Sequence, residues 1–193
     1  MDWLINLDKE LFIYLNGCNS AFFDPIMIFF SKIWIWIPLY VAIITWIFIK
    51  KKWKIGLIAL AAILICFGLS DQISVAIKNC VERLRPCEDP SLVSTVRLLE
   101  KSGGLYGFVS SHASNVFGLA ILTSFIIKVN IYSYSIFSWA SIVSYSRIYV
   151  GKHFPGDVIC GIILGLIIGY TVFHIFKFVT RKFKNKKKPC TAL

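Results

Sequence analysis

The chain has 193 residues, of which 57% are hydrophobic and only 16% charged, far from the balance of a soluble domain and too short for several domains. Lys and Arg outnumber Asp and Glu by 21 to 10, giving a formal charge of +11. Most of that excess sits in two runs beside apolar stretches, Lys50-Lys51-Lys52-Trp53-Lys54 and Arg181 to Lys188, which read as cytoplasmic topology signals rather than a nucleic-acid surface.

From the amino terminus, Met1 to Asn16 mixes Asp2, Asp8, Lys9 and Glu10 with Trp3, Leu4, Leu7, Leu11 and Phe12. It lacks the basic start and clean apolar stretch of a cleavable signal, and it reads as an amphipathic helix lying in the membrane interface over residues 1–20. Apolar segments long enough to approach the ~20 residues of a crossing follow. They run from Phe22 or Ile33 to Ile49, Ile55 to Ile77, Ser110 to Ile127, Ile131 to Tyr149 and Val158 to Val179. The first is ambiguous, because Pro25 and Pro38 can break a helix. It is either one kinked span or a re-entrant piece followed by a span. The expectation is one all-α membrane-embedded domain over residues 1–193, a polytopic helical bundle with five or six spans, five being preferred, and an N-terminal interfacial helix. Residues 181–193 form a basic cytoplasmic tail. Its last four residues, Cys190-Thr191-Ala192-Leu193, have the outline of a prenylation box, but a chain that already spans the membrane gains little from a lipid anchor. There is no internal repeat.

The six cysteines, Cys18, Cys66, Cys80, Cys87, Cys160 and Cys190, show no CxxC pair and no zinc spacing, which argues against a metal framework. Cys80 and Cys87 share a polar loop, and a disulfide between them stays an open alternative.

Spans alternate in direction. If the loop at Lys50 to Lys54 is cytoplasmic, the end of the second span, the start of the third, the end of the fourth and the start of the fifth all lie outside. The outer segment from Lys78 to Gly104 is rich in charge, with Lys78, Arg83, Arg85, Arg97 and Lys101 against Glu82, Glu88, Asp89 and Glu100. Cations on the outer side run against the usual bias and invite a functional explanation. Arg83, Arg97 and Lys101 are read as solvated loop charges. Asp71, seven residues before Lys78, either orients that lysine or caps a polar contact.

Three clusters share this outer end: Lys78 to Arg85-Pro86, then Val109-Ser110-Ser111-His112, then Ser146-Arg147 followed by His153 and Asp157. Together they hold what phosphoryl transfer needs without a metal. Arg85 and Arg147 offer planar forks for phosphate oxygens, and Lys78 adds a point charge. The amides at Ser110 and Ser111, at a helix start, suit an anionic oxygen. His153 can attack phosphorus if a carboxylate four residues on, Asp157, holds its other nitrogen. His112 can protonate the leaving oxygen and later activate water. Taken singly, each histidine reads better as a structural polar residue at a helix end; their joint placement reverses that. His174 lies seventeen residues beyond Asp157 along one span, ~25 Å away, and reads as structural. Phe22, Phe23, Phe29, Phe30, Trp34 and Trp36 read as interfacial anchors.

These clusters resemble the three signatures of the type-two phosphatidic acid phosphatase superfamily, which also includes bacterial acid phosphatases and vanadium haloperoxidases. Lys78, Arg85 and Pro86 match Lys-x6-Arg-Pro; Ser110 and His112 match Pro-Ser-Gly-His; Ser146, Arg147, His153 and Asp157 match Ser-Arg-x5-His-x3-Asp. Val109 and Ser111 stand where that pattern has proline and glycine. The resemblance covers roughly Asp71 to Ile175 and is specific as an ordered set. It implies a helical-bundle core, a phosphohistidine on His153, and no cofactor or metal. The implied substrate is a phospholipid or polyprenyl phosphate: undecaprenyl pyrophosphate, a lipid A phosphate, phosphatidate or phosphatidylglycerol phosphate. It also implies a multi-pass protein of the plasma (inner) membrane with its site on the periplasmic or extracellular side and no obligatory protein partner. Phosphate transfer to an acceptor lipid by the same residues, and binding of an anionic lipid without turnover, are the competing readings.

Overall fold

The computed structural model describes residues 2–101 and 103–185. Among the described residues it is all-helical: α1 (Asp2–Gly17), α2 (Phe23–Ser31), α3 (Ile37–Lys50), α4 (Trp53–Val81), α5 (Ser111–Ile127), α6 (Asn130–Tyr149) and α7 (Pro155–Asn185), with 3-10 turns at Ile33–Trp36 and Pro86–Glu88. The basic tail beyond 185, with the Cys190 to Leu193 box, lies outside the described residues.

By length and composition, three helices can cross a membrane: Ile33–Lys50, Trp53–Val81 and Pro155–Phe183, while Ser111–Ile127 is a shorter apolar helix. The expected fourth crossing is α6, whose 20 residues include Ser133, Ser135, Ser138, Ser141, Ser144 and Ser146, which dilute its hydropathy. The ambiguous first segment resolves into two pieces. Neither proline makes the break, since Pro25 lies in the first turn of α2 and Pro38 in the first turn of α3, where a missing N–H costs no helical bond. The chain turns instead at Lys32, whose backbone is extended, and through the 3-10 turn that follows. Trp36 Nε1 donates back to the Phe30 carbonyl at 3.1 Å, and Trp36 meets Trp139 of α6 edge to face at 5.3 Å.

The bundle is organised by the seam between α5 and α7. Gly161, Gly165 and Gly169 recur every four residues on α7, and a Cβ on any of them would run into the backbone of Ser110, Ser114 or Gly118. Helix association in lipid depends on such close backbone approach, because hydrocarbon offers no hydrophobic drive. At the top of this seam the Ser110 amide donates to the Asp157 carbonyl at 2.9 Å. The starts of α5 and α7 are thereby locked together.

Helix α1 straps the loops that carry Arg97 and Phe154. It exposes Trp3, Leu4, Leu7, Leu11 and Tyr14 while burying Phe12 and Asn16. The Phe12 ring packs edge to face on Phe154 at 5.3 Å, a burial worth roughly 2–3 kcal/mol. Asn16 Nδ2 donates to the Tyr149 carbonyl at 2.9 Å, and its Oδ1 accepts from the Arg97 amide at 2.9 Å. No disulfide joins Cys80, exposed on the last turn of α4, to Cys87 in the 3-10 turn beyond Pro86.

Candidate active site

The ends of α4, α5, α6 and α7 open onto a cavity of about 490 Å³ whose lining includes Lys78, Arg85, Ser111, His112, Arg147, Lys152 and His153. The three clusters that lie far apart in the chain therefore meet, as span parity predicts.

Each side chain is placed by local backbone. After α4, Glu82 takes a left-handed conformation that ends the helix, and Leu84 forms an isolated bridge with Tyr106. The Arg85 amide donates to the Leu105 carbonyl at 3.0 Å and the Gly107 amide to the Arg83 carbonyl at 2.8 Å. This short pairing fixes Arg85, whose Nη1 donates to the Lys152 carbonyl and stands 3.3 Å from His153 Nε2. Beyond α6, the Arg147 carbonyl accepts from the amides of both Lys152 and His153, at 3.0 and 3.3 Å. The turn requires Gly151, which has φ of +84° and lies so close to the Arg97 carbonyl that a Cβ has no room.

His153 is almost fully buried. Its Nδ1 lies 3.5 Å from Asp157 Oδ2, long for a hydrogen bond, and Asp157 Oδ2 also accepts from the Phe154 amide at 3.0 Å. Burial first, then the charges of Arg85, Arg147 and Lys78, hold the His153 imidazole well below the usual histidine range. The shift favours the neutral imidazole, the form able to act as a nucleophile. Lys78 Nζ donates to the Ser111 hydroxyl. The Nε groups of Arg85 and Arg147 are buried without a protein acceptor, a cost that an anion in the cavity would relieve.

The expectation for Ser110 needs correction. Its amide is committed to Asp157, its hydroxyl caps α5 by accepting from Ala113 at 3.5 Å, and it is fully buried. The amides left for an anion at this helix start begin at Ser111. Arg83 and Arg97 are both held in ion pairs, Arg97 with its side chain still 36% exposed. Arg83 pairs with Asp8 at 2.7 Å and with Asp157 at 2.9 Å, and Arg97 Nη1 bonds Asp24 at 2.7 Å. Asp71 lines the cavity with Lys78, while His174 meets the Tyr170 ring edge to face at 4.5 Å along α7.

Two residues that sequence reasoning missed also belong here. Lys152 lies in the stretch between Arg147 and His153, and its Nζ donates to Glu100 at 2.7 Å. Glu100 Oε2 also accepts from Ser31 at 2.9 Å and lies 3.7 Å from Arg147 Nη1. Burial pushes the Glu100 carboxyl up, but the bonds from Lys152 and Ser31 outweigh it and hold it below the usual range. For Lys152 the available signal was adjacency to the motif; for Glu100 there was none. Among the described residues no three His, Cys, Asp or Glu side chains converge as a metal site requires.

The family model described as PAP2 superfamily matches residues 56–181. The chain is similar to a lipid A 4'-phosphatase of Porphyromonas gingivalis, 32% identical over 98% of this chain and 81% of that protein. It is also similar to an undecaprenyl-diphosphatase of Sulfolobus acidocaldarius, 31% identical over 89% of this chain and 79% of that one. Its fold matches the crystal structure of a transmembrane PAP2 type phosphatidylglycerolphosphate phosphatase from Bacillus subtilis, with a TM-score of 0.71, 22% identity, and coverage of 98% and 90% of the two chains. A match over well over half the chain, joined to relatives aligned along nearly all of it, shows that this membrane protein belongs to the PAP2 superfamily.

Proposed function

We infer that this chain is a membrane phosphatase that hydrolyses a lipid phosphate through a phosphohistidine on His153. The observation that carries this reading is the setting of His153, with Nε2 beside the Arg85 guanidinium and Nδ1 toward the buried Asp157. In the first step Nε2 attacks phosphorus, the bond from phosphorus to the lipid oxygen breaks, and His112 gives that oxygen its proton. In the second step His112 takes a proton from water, whose oxygen attacks phosphorus and breaks the P–N bond, releasing inorganic phosphate. Arg85, Arg147, Lys78 and the amide of Ser111 balance the charge on the transferring group. A site built only for binding needs cations and amides but neither a buried carboxylate behind an imidazole nor a second histidine.

For substrate, the likeness to a lipid A 4'-phosphatase favours a phosphate monoester on a glycolipid head group, and a cavity of about 490 Å³ is larger than a phosphoryl group alone requires. The likeness to an undecaprenyl-diphosphatase supports a polyprenyl diphosphate as the second reading. The chain is read as five crossings, by residues 33–50 and helices α4 to α7, with α1 in the interface and the site on the periplasmic side. At 20 residues α6 is ~30 Å long, enough for a crossing. Inorganic phosphate release from purified protein, measured on lipid A, undecaprenyl diphosphate, phosphatidate and phosphatidylglycerol phosphate with a chelator present, tests the reading. Turnover of lipid A above the others is expected. Release from none of them would sink it, and turnover restored only by a divalent ion would sink its metal-free chemistry.

A further inference from the structure

Asp157 is fully buried, and its two oxygens are differently engaged. Oδ2 faces the Phe154 amide and His153, and Oδ1 accepts from Arg83 Nη1 at 2.9 Å. The second terminal nitrogen of Arg83 donates to Asp8 Oδ2 at 2.7 Å, and Asp8 Oδ1 accepts from the Gly156 amide at 2.7 Å. The Arg83 guanidinium carbon also lies 4.2 Å above the Phe154 ring, whose edge-to-face partner is Phe12 of α1. One planar fork thus joins two carboxylates, one behind the nucleophile and one on the amino-terminal helix. An arginine divided in this way has little rotational freedom. Without it, Asp157 would be a buried carboxylate with a single backbone donor and nothing to choose which oxygen faces the imidazole.

We propose that Asp8 and Arg83 are positioning residues of the His153–Asp157 pair, so that docking of α1 completes the catalytic apparatus. The proposal rests on His153 being the nucleophile. Arg83 fixes Asp157, and Asp8 fixes Arg83. The two carry opposite charge, so they act oppositely on the imidazole, which Arg85 and Lys78 from the α4 end, His112 from α5, Arg147 and Lys152 from the α6 end, and Asp157 from α7 also influence. Removing the Arg83 cation favours a protonated His153. Removing the Asp8 anion leaves that cation uncompensated and disfavours it.

The test is the pH profile of kcat, with kcat and KM, for the full chain in detergent. Arg83→Gln is expected to lower kcat about 30-fold with KM within about twofold, and to move the acid limb up by about half a pH unit. Asp8→Asn is expected to lower kcat about fivefold and to move the limb down. Arg83→Lys keeps the charge without the fork, so its limb stays near wild type while kcat remains low. Lys9→Ala breaks a different tie of α1, the 2.7 Å ion pair with Asp89, and should leave kcat and the limb unchanged. Limbs that coincide with wild type in both Arg83→Gln and Asp8→Asn would overturn the proposal, as would Lys9→Ala reproducing their effects. His153→Ala is measured alongside. If it stays active, the nucleophile reading fails; if it is dead while the other limbs do not move, only the present proposal fails.

Discussion

Asp157 and Glu100 both pair with cations near the cavity, but they are held in different ways. Asp157 is fully buried in the first turn of α7, tied to the Phe154 amide and to Arg83, and it stands behind an imidazole. Glu100 lies in the loop between α4 and α5 with its carboxylate partly open, and it bonds Lys152 and Ser31 and faces Arg147. A carboxylate fixed on one side by backbone and on the other by arginine can orient a nucleophile. A carboxylate on a loop, bound to the cations that a phosphate would use, must yield to the substrate or share its partners. The cavity therefore has a preset half and an adjustable half, and substitutions on the two should differ in both size and kind.

The largest effect is expected on the preset side. His153→Ala should reduce turnover at least ~10⁴-fold on every substrate, since no neighbouring group replaces the nucleophile. Near-normal turnover of the purified variant would remove the basis of the comparison. Next comes His112, which lines the same cavity. His112→Ala should slow release of the leaving group, read in a single turnover, about 10²–10³-fold on a lipid phosphate, whose alkoxide needs a proton, but only about tenfold on an activated aryl phosphate. Equal losses on the two leaving groups would end its general-acid role.

On the adjustable side, Glu100→Gln should leave kcat within about threefold and tighten inhibition by inorganic phosphate or vanadate about three- to fivefold, because Arg147 and Lys152 lose a competing anion. Weaker inhibition would mean that Glu100 orders these cations more than it competes for them. The smallest effect is one of pH. Burial, with Arg85, Arg147 and Lys78, lowers the proton affinity of His153, so the neutral imidazole persists as pH falls through the ordinary value of 6.5, and activity declines only below it. The sign is the same for folding. The unfolded chain takes up this proton first, so the contribution of His153 to stability is complete above 6.5 and is lost as pH falls toward its folded value. An imidazole resonance that titrates at or above 6.5 in the wild type and is absent from the NMR spectrum of His153→Asn would contradict the burial argument.

Much of the preset half was legible in the sequence, because fixed spacings within helix ends survive folding. Lys78 and Arg85 bracket the end of α4, His153 and Asp157 stand one turn apart, and the parity of apolar segments brings their helix ends together. What could not be read joins residues distant in the chain through unpatterned charges. Arg83 to Asp8 and Glu100 to Lys152 are such pairs, 75 and 52 residues apart, and no periodicity in either segment marks them. The place of the break, at Lys32, could not be read from Pro25 and Pro38, because proline tolerance depends on position within a helix and both lie in first turns. The Ser110 amide was assigned to an anion because the α5 to α7 seam, which delivers the Asp157 carbonyl to it, depends on tertiary contact between glycines spaced along α7 and the backbone of α5.

The most direct test of the central claim is a rapid acid-free quench of protein turning over a substrate with a labelled phosphoryl group, followed by mapping of the label by mass spectrometry. The label is expected on His153, at higher occupancy in His112→Ala supplied with an activated aryl phosphate, because water attack on the intermediate has lost its base while formation has not. Turnover at full rate with the label on another residue, or with none captured in either protein, would contradict a phosphohistidine at His153.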